Sequence, residues 1–410
     1  MMISFFIVAQ ILNIYIAWRI TKIFYSYLTI SSLVLFLILI GSLINEFETY
    51  NTYEASLYLL LFNFLINAGA FCQSLLSKNT LNYAMNYKAC GGNSRLLVND
   101  LDLKIIIAAL LIFFIVALYF FTTYGAPVFY DDLKFARRDI QKETFIFYRF
   151  FQYFIPISTA ILYARYRIYD EKITKYIFIV CCFIALLILF GLGYKGYILW
   201  YLVFLLMLAN VYSDNLFKIS LGVFMLSLFA ASLTTILIYS VSTSESLGLL
   251  LVRSTTIAAY GYNIVFYELY PELGNVNFAG KDLQFFLAEW KFGNNSMSQN
   301  SMAITTTLPG ALIVYFGKLG ALLLAPAIGF IMQSFYVSIF KYKFSPLLVV
   351  FYVYLTFSFV GVVARGTVIN VFFQAIASLL LIFVFYVFLQ AFLKGSGKYK
   401  YNKIHHHTIN

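Results

Sequence analysis

The stretch IIIAALLIFFIVALYFF, residues 105–121, decides the fold class, because it is an apolar run without a charged side chain. The run begins directly after Lys104. Ten further apolar runs divide the rest of the chain. An apolar run of about 20 residues is long enough to cross the hydrocarbon core of a bilayer as an α-helix. We therefore predict an all-α fold, a polytopic integral membrane helical bundle with about 11 transmembrane helices. Residues 1–410 are expected to form a single transmembrane domain.

The composition supports this class. The chain is 62% hydrophobic and only 11% charged, whereas a soluble domain carries about 25% charged residues. No soluble fold of this length could bury so much apolar surface. The predicted spans are Ile3–Ala17, Leu28–Ile44, Ala55–Leu76, Ile105–Phe121, Ile146–Tyr163, Tyr176–Phe190, Tyr197–Tyr212, Ile219–Tyr239, Gly310–Phe335, Leu347–Val363 and Thr367–Leu393.

The charges between the spans indicate a topology. Lys and Arg favour the cytoplasmic side of a membrane. If the amino terminus is outside, the inner segments hold 17 of the 28 basic residues and five of the 17 acidic ones. The net charge of +11 is then a consequence of topology, and it does not indicate nucleic acid, which needs a concentrated basic patch. We predict a cytoplasmic carboxyl terminus whose Lys-rich tail lies on anionic membrane lipids.

This topology puts two long connectors, Phe121–Phe145 and Val241–Leu308, on the same outer side. Both are expected to carry short amphipathic helices. In the first connector, Arg137 or Arg138 is a candidate phosphate ligand, because the planar guanidinium fork matches phosphate oxygens. The alternative for Asp131–Glu143 is a solvated interfacial helix with internal ion pairs.

The second connector contains a basic residue in apolar surroundings. Arg253 has apolar flanks, so it is expected near the membrane surface or in a cavity, where an ionisable residue is a functional candidate. The stretches Ile257–Tyr270 and Leu283–Trp290 have helical spacing and predict two short helices.

Two further outer cations stand alone. Lys195 lies in the turn GLGYKGY and is either a snorkelling lysine at a helix end or a ligand of an anionic headgroup. Arg365 lies at the outer turn of the last hairpin, where a single Arg is also common without any function. If these cations converge with those of the connectors, they form an anion-binding cavity that faces outward.

Three local matches carry a resemblance to the Wzy-type oligosaccharide repeat-unit polymerases, relatives of the O-antigen ligases. GLGYKGYILW, residues 191–200, resembles the family's Gly-Ser/x-Arg/Lys-Gly turn, and LVRSTT, residues 251–256, resembles its loop arginine. TTTLPGALIVYFGKLGALLLAPAIG, residues 305–329, resembles its Pro-Gly…Phe-Gly…Gly span. The matched positions are Lys195, Gly196, Arg253, Pro309, Gly310, Phe316, Gly317 and Gly320. The organisation into spans and two enlarged external loops matches over nearly the whole chain.

The resemblance implies a metal-independent membrane glycosyltransferase without a cofactor. A glycan on undecaprenyl pyrophosphate would be transferred en bloc onto a new lipid-linked repeat unit, on the outer face of the bacterial cytoplasmic membrane. The product would be a surface polysaccharide, such as the O antigen of lipopolysaccharide, a capsule or an exopolysaccharide. The implied partners are undecaprenyl-pyrophosphate-linked oligosaccharides, membrane lipids, a chain-length regulator and a flippase.

The resemblance also implies roles for particular residues. Cations would stabilise the charge that develops on the pyrophosphate, with Arg253 and Lys195 as catalytic residues and Arg137, Arg138 and Arg365 as pyrophosphate ligands. A carboxylate near the acceptor hydroxyl would act as the base. The sequence leaves this base open among acids on the outer side, which are Asp131, Asp132, Asp139, Glu268, Glu272, Asp282 and Glu289.

Two other functions remain open from the sequence. A lipid-linked-oligosaccharide flippase or transporter is compatible with Arg149 and Lys318, which fall inside predicted spans, because transporters often carry charges within their spans. A metal-dependent, polyprenyl-phosphate-sugar-dependent glycosyltransferase would carry an acidic pair in its first external loop. Here the pair Asp131-Asp132 follows the fourth span instead, and the first external loop lacks paired Asp.

Overall fold

The structure is a computed structural model, and it describes most of the predicted spans together with parts of their connections. The described residues are 2–23, 25–44, 52–77, 100–130, 140, 144–193, 195–212, 258–273, 283–293, 304–366 and, among the last residues, 376, 377, 380, 384, 387, 388 and 391.

Long helices account for almost all of these residues. The first seven are α1 (Met2–Thr21), α2 (Tyr27–Ile44), α3 (Thr52–Leu76), α4 (Asp100–Tyr124), α5 (Phe145–Tyr169), α6 (Lys172–Gly191) and α7 (Lys195–Tyr212). A connector segment follows as α8 (Ala258–Asn263), a π-helical turn (Ile264–Leu269) and α9 (Tyr270–Glu272), and then α10 (Leu283–Phe292). The last two are α11 (Thr307–Lys341) and α12 (Pro346–Arg365).

The predicted fold class is confirmed, since the described residues are helical and contain no strand. Six of their helices are long and apolar enough to cross a membrane. Large apolar side chains also cover the outside of the bundle, including Val8, Ile115 and Phe183, which are 65%, 66% and 62% exposed. Such a surface would be unfavourable in water and is the natural surface in lipid. The chain is a multi-pass membrane protein.

The boundary between α6 and α7 agrees with the predicted spans Tyr176–Phe190 and Tyr197–Tyr212. α6 ends at Gly191 and α7 begins at Lys195, so the short glycine-rich turn does separate two helices. α11 begins at Thr307, which is earlier than the predicted start at Gly310. The predicted span Ile219–Tyr239, and most of Thr367–Leu393, lie outside the described residues.

The relative directions of the helices follow from their contacts. The Tyr58 hydroxyl donates to the Lys318 carbonyl at 2.7 Å, and further along both helices Gln333 Nε2 donates to Ser74 Oγ at 2.9 Å. α3 and α11 therefore run parallel. Successive membrane crossings alternate in direction. An odd number of crossings therefore lies between α3 and α11 along the chain.

The direction of α7 relative to α11 follows from the contacts of α7 with α12. The Arg365 guanidinium lies over the Trp200 ring, and Phe204 packs edge-on against Tyr354, so α7 is antiparallel to α12. Because α12 also forms a hairpin with α11, α7 and α11 run in the same direction. These are the directions that a single crossing between α7 and α11 produces, and the sequence predicts one such crossing at Ile219–Tyr239.

The tightest helix pair is α3 against α11. A Cβ atom added to Gly69 would lie 1.9 Å from the Pro326 carbonyl oxygen, and one added to Gly329 would lie 2.0 Å from the Ile66 oxygen. Only glycine fits at either position. Small residues that let two backbones approach are a common means of packing helices in lipid, where dispersion contacts drive association.

Polar side chains join α1 and α2 to α3 inside the membrane. Gln10 Nε2 donates to the Ser32 carbonyl at 3.0 Å, Ser32 Oγ donates to Asn63 Oδ1 at 3.0 Å, and Asn67 Nδ2 donates to the Asn13 carbonyl at 3.1 Å. All five residues are buried. Hydrogen bonds of this kind hold neighbouring helices together in lipid.

Candidate functional site

The segments 258–273 and 283–293 pack against one end of the bundle, which we name the connector end. Two tyrosines hold the first of them on α3. The Tyr262 hydroxyl donates to the Ala55 carbonyl at 3.0 Å, and the Ala55 N–H donates to the Tyr267 hydroxyl oxygen at 3.1 Å. Ala55 lies in the first turn of α3. The two tyrosines therefore anchor the segment to the start of α3.

The π-helical turn explains how both tyrosines reach the same residue. In an α-helix with 3.6 residues per turn, two residues five apart point about 140° away from each other. A π-helical turn is wider, because its hydrogen bonds join residues i and i+5. The turn Ile264–Leu269 thus brings Tyr262 and Tyr267 closer to one face. Such turns are frequent at functional sites.

Next to this docked segment lies an ion pair between α3 and α11. Lys318 Nζ is 3.3 Å from Glu54 Oε1, and the two side chains are 28% and 65% exposed. The ammonium also lies 3.6 Å from the centre of the Phe266 ring and 5.3 Å from that of Tyr270. Cation–π attraction acts within about 6 Å of a ring centre. Lys318 is thus held by one carboxylate and two rings.

Lys318 directly follows a break in α11. Gly317 has φ 74° and ψ 169°, a backbone conformation that essentially only glycine adopts. The helix ends before Gly317 and restarts after it, and the Tyr58 hydroxyl donates to the Lys318 carbonyl beyond the break. Gly317 faces Tyr270, whose hydroxyl oxygen would be 3.5 Å from an added Cβ. The break therefore lies beside the docked segment and places Lys318 on the rings.

A second ion pair attaches α10 to the π-helical turn. Lys291 Nζ contacts Glu268 Oε2, and the two side chains are 30% and 20% exposed. At the other end of α10, Gln284 Nε2 donates to the Arg365 carbonyl at 2.7 Å. From Gln284 to Lys291 the helix rises by about 10 Å, at 1.5 Å per residue. α10 therefore connects the Glu268–Lys291 ion pair to the end of α12 at Arg365.

Arg365 ends α12 at this same end. Its guanidinium carbon lies 5.4 Å from the centre of the Trp200 ring, a geometry in which Arg stacks on an aromatic face. Gly366, with φ 71°, follows as the left-handed C-cap. A Cβ on Gly366 would lie 2.0 Å from Thr306 Oγ1, so the chain before α11 lies directly on this cap.

A cavity of about 380 Å³ lies between α2, α7 and α12, and its lining reaches Ala364, the residue before Arg365. Its walls are apolar, with Val34 and Ile38 from α2, Trp200 from α7 and Val360 from α12, and Thr305 lies at its connector end. Ligand pockets in proteins are typically about 300–1,000 Å³ and mostly apolar, with few polar groups. This cavity lies in the membrane part of the bundle, and a guanidinium lies over the ring of Trp200 in its wall.

The structure describes only some of the predicted site residues. Arg365 lies at the connector end as predicted, and so do Glu268, which is paired with Lys291, and Glu272, which is exposed. Lys195 begins α7, and only its backbone is described. Glu289 lies on α10 and is half-buried. The others lie outside the described residues, and they are Arg137, Arg138, Arg253, Asp131, Asp132, Asp139 and Asp282. Whether they converge with Arg365 stays a prediction.

The sequence reasoning missed Glu54 and undervalued Lys318. Glu54 is not among the candidate acids of the sequence analysis, and a carboxylate in the first turn of a helix is common for electrostatic reasons alone. Lys318 was noted only as a charge inside a predicted span. The one available signal was its position after Gly317, since a glycine next to a lysine interrupts an otherwise apolar run. Within the described ranges, no group of three or more His, Cys, Asp and Glu side chains could hold a metal ion.

No family model matches the chain, and no curated protein and no solved structure is detectably similar to it. The site therefore has to be interpreted from its own chemistry. At the connector end it combines separate cations, carboxylates held by lysines, partly exposed aromatic rings and an apolar cavity. This combination suits a ligand that has both an apolar chain and an anionic, polar head.

Proposed function

We propose that this protein polymerises undecaprenyl-pyrophosphate-linked oligosaccharide repeat units into a surface polysaccharide, by en bloc glycosyl transfer on the outer face of the bacterial cytoplasmic membrane. The observation that carries the proposal is the apolar cavity whose wall includes Trp200, with the Arg365 guanidinium stacked on that ring. A polyprenyl chain is apolar and fits such walls, while its pyrophosphate needs a cation at the end of the chain. A guanidinium offers a fork that matches phosphate oxygens.

The docked connector segments support the same proposal. Glycosyl transfer needs groups that hold the leaving pyrophosphate and groups that receive the acceptor sugar. Cations and carboxylates at one end of the bundle, separated by about the length of α10, can serve both needs. We further propose that Arg253 and Lys195 stabilise the leaving group, and that Arg137 and Arg138 bind pyrophosphate from the first connector.

The test uses a strain in which the gene is deleted and complemented. Wild-type protein should restore a ladder of polymer lengths, whereas Arg365→Ala and Arg253→Ala should leave single lipid-linked repeat units on the outer leaflet. Asp170→Asn is the matched control, because Asp170 is exposed in a turn at the opposite end, and Asn also adopts its left-handed conformation. A normal ladder from Arg365→Ala would contradict the role of Arg365.

A flippase for lipid-linked oligosaccharides is the second candidate, and the break in α11 favours it. Transporters often bind their substrates at interrupted membrane helices, and Lys318 lies at such an interruption. The leaflet in which single repeat units accumulate separates the two functions. Loss of a flippase leaves the units on the cytoplasmic leaflet, whereas loss of a polymerase leaves them outside.

The proposed orientation has the connector end and the amino terminus outside. Cysteine labelling tests it in a variant whose four native cysteines are replaced by alanine. A cysteine in place of Ser296, in the second connector, should react with an impermeant reagent in intact cells. One in place of Ser77, at the far end of α3, should react only after permeabilisation. The reverse pattern would invert the topology and contradict an outer-face reaction.

A further inference from the structure

The proposed reaction needs a proton acceptor, and the connector end offers carboxylates in two different settings. Glu268 joins the π-helical turn to α10 through Lys291, and its side chain is 20% exposed. That pair ties two connector segments together. Glu54 is attached to the membrane bundle instead, and its side chain is 65% exposed. A carboxylate that meets a sugar hydroxyl has to be reachable, which favours Glu54 over Glu268. Glu272 is exposed as well, but Glu54 combines its exposure with an ion pair to Lys318 of the bundle.

Glu54 is also held in one place, although it is exposed. Its partner Lys318 belongs to α11, and α3 and α11 are locked together by the backbone contacts of Gly69 and Gly329. Lys318 is in turn fixed above the Phe266 ring at 3.6 Å. A group that takes part in a reaction has to be held at the productive geometry by its supports. The packing of α3 against α11 and the Phe266 ring together fix the Lys318 ammonium that pairs with Glu54.

The surroundings of Glu54 suit a sugar. Lys318 can donate a hydrogen bond to a hydroxyl or ring oxygen, since an ammonium has three N–H groups and only one is needed for Glu54. Tyr270 is partly exposed beside Lys318 and offers a ring and a hydroxyl. Charged and polar groups near Glu54 come from both packed elements, Lys318 from α11 and Tyr262 and Tyr267 from the docked segment, while Tyr270 lies beside Lys318.

We propose that Glu54, positioned by Lys318, is the carboxylate that receives the proton of the attacking hydroxyl of the acceptor sugar, and that this sugar binds beside Tyr270. This inference rests on the proposed function. The acceptor oxygen forms a bond to the anomeric carbon of the donor glycan, and the bond from that carbon to the pyrophosphate oxygen breaks. The pyrophosphate leaves with the electron pair, the hydroxyl proton moves to Glu54, and Glu54 then releases it to water.

The experiment measures initial rates of polymer formation from pure lipid-linked repeat units by the full-length protein in liposomes. Glu54→Gln removes the proton acceptor and nearly keeps the shape, so the rate should fall by about 10²–10⁴-fold, the usual contribution of general base catalysis. The acid-side fall of the wild-type pH–rate profile should disappear in this variant. Glu54→Asp should recover part of the rate. Asp170→Asn should match the wild type in rate and profile.

Lys318 has a different expected signature, because it acts through Glu54 and through the acceptor sugar. Lys318→Met should raise the KM for the acceptor and keep the acid-side fall of the profile. Monodisperse elution of each variant in detergent establishes that it is folded. If Glu54→Gln does not elute as a single species, the comparison of Glu54→Asp with wild type decides in its place, and an equal rate and profile there would refute the role of Glu54.

The outcomes distinguish a failure of the proposed polymerase function from a failure of the proposed role of Glu54. If wild-type protein forms no polymer from lipid-linked repeat units, the proposed function fails, and the role of Glu54 fails with it. If wild-type protein forms polymer and Glu54→Gln does so at the same rate and with the same profile, only the role of Glu54 is wrong.

Discussion

Replacing Gly69 by alanine is the sharpest test of the helix packing on which the site depends. The new Cβ would lie 1.9 Å from the Pro326 carbonyl oxygen, whereas ordinary contact begins at 3.4 Å. Because the obstacle is backbone, no side-chain rotation relieves it, and α3 and α11 must separate locally by about 1.5 Å, the difference between those distances. Overpacking of this kind costs about 1–3 kcal/mol.

The measurement is the melting temperature of the purified protein in detergent. A change of 1 kcal/mol shifts the melting temperature by roughly 2–4 °C in domains of 150–250 residues, so Gly69→Ala should melt several degrees lower. Gly196→Ala is the matched control, since a Cβ there meets no atom within 4 Å. Alanine is favoured over glycine within a helix by roughly 0.5–1 kcal/mol, so this control should melt at the same temperature or slightly higher.

The same variant should also affect activity, because Glu54 and Lys318 lie on the two helices that separate. A displacement of about 1 Å at a reacting group can cost roughly 10²-fold in rate. Polymer formation by Gly69→Ala should therefore fall while that of Asp170→Asn, the control at the opposite end of the bundle, stays normal. An unchanged melting temperature in Gly69→Ala would refute the close packing of α3 and α11.

Three other perturbations have defined outcomes. Gly317→Ala forces a conformation reserved for glycine, at about 1–3 kcal/mol of strain, and should lower the melting temperature; an equal value would contradict the break in α11. Arg365→Lys keeps the charge but loses the planar fork over Trp200, so the KM for the lipid-linked donor should rise about tenfold at unchanged kcat, and an unchanged KM would count against this contact. Burial raises the pKa of Tyr262 well above its ordinary value, so docking of its segment is fully stable below pH of about 10 and weakens as the pH rises beyond it. Limited proteolysis of the segment should accelerate at high pH, and this acceleration should be smaller in Tyr262→Phe.

The spans could be predicted because a bilayer imposes a simple requirement. Every backbone polar group in the hydrocarbon must be satisfied within the chain, and an apolar run long enough to cross then has to be a helix. The turn between α6 and α7 was also readable, since Gly191–Gly193 permits a sharp reversal between two apolar runs. The short helix α10 followed from its own amphipathic spacing.

The ion pair of Glu54 with Lys318 could not be predicted from the same information. The two residues are 264 positions apart, and nothing in local spacing indicates which crossing lies beside which. Their contact depends on the parallel packing of α3 and α11, and that packing depends on Gly69 and Gly329. In an apolar helix, a glycine that contacts a backbone has no local pattern that distinguishes it from any other tolerated glycine.

The docked segment shows why a connector at a membrane surface takes a fixed position. At the connector end the Tyr262 hydroxyl donates to the Ala55 carbonyl and the Ala55 N–H donates to the Tyr267 hydroxyl oxygen, and the Phe266 ring lies over the ammonium of Lys318. Each contact depends on the others, because the π-helical turn that brings the two hydroxyls together also turns the ring toward the lysine. The segment therefore forms part of the structure that orients Glu54, and a variant that undocks it should lose the catalytic function of that carboxylate without any change to the carboxylate itself.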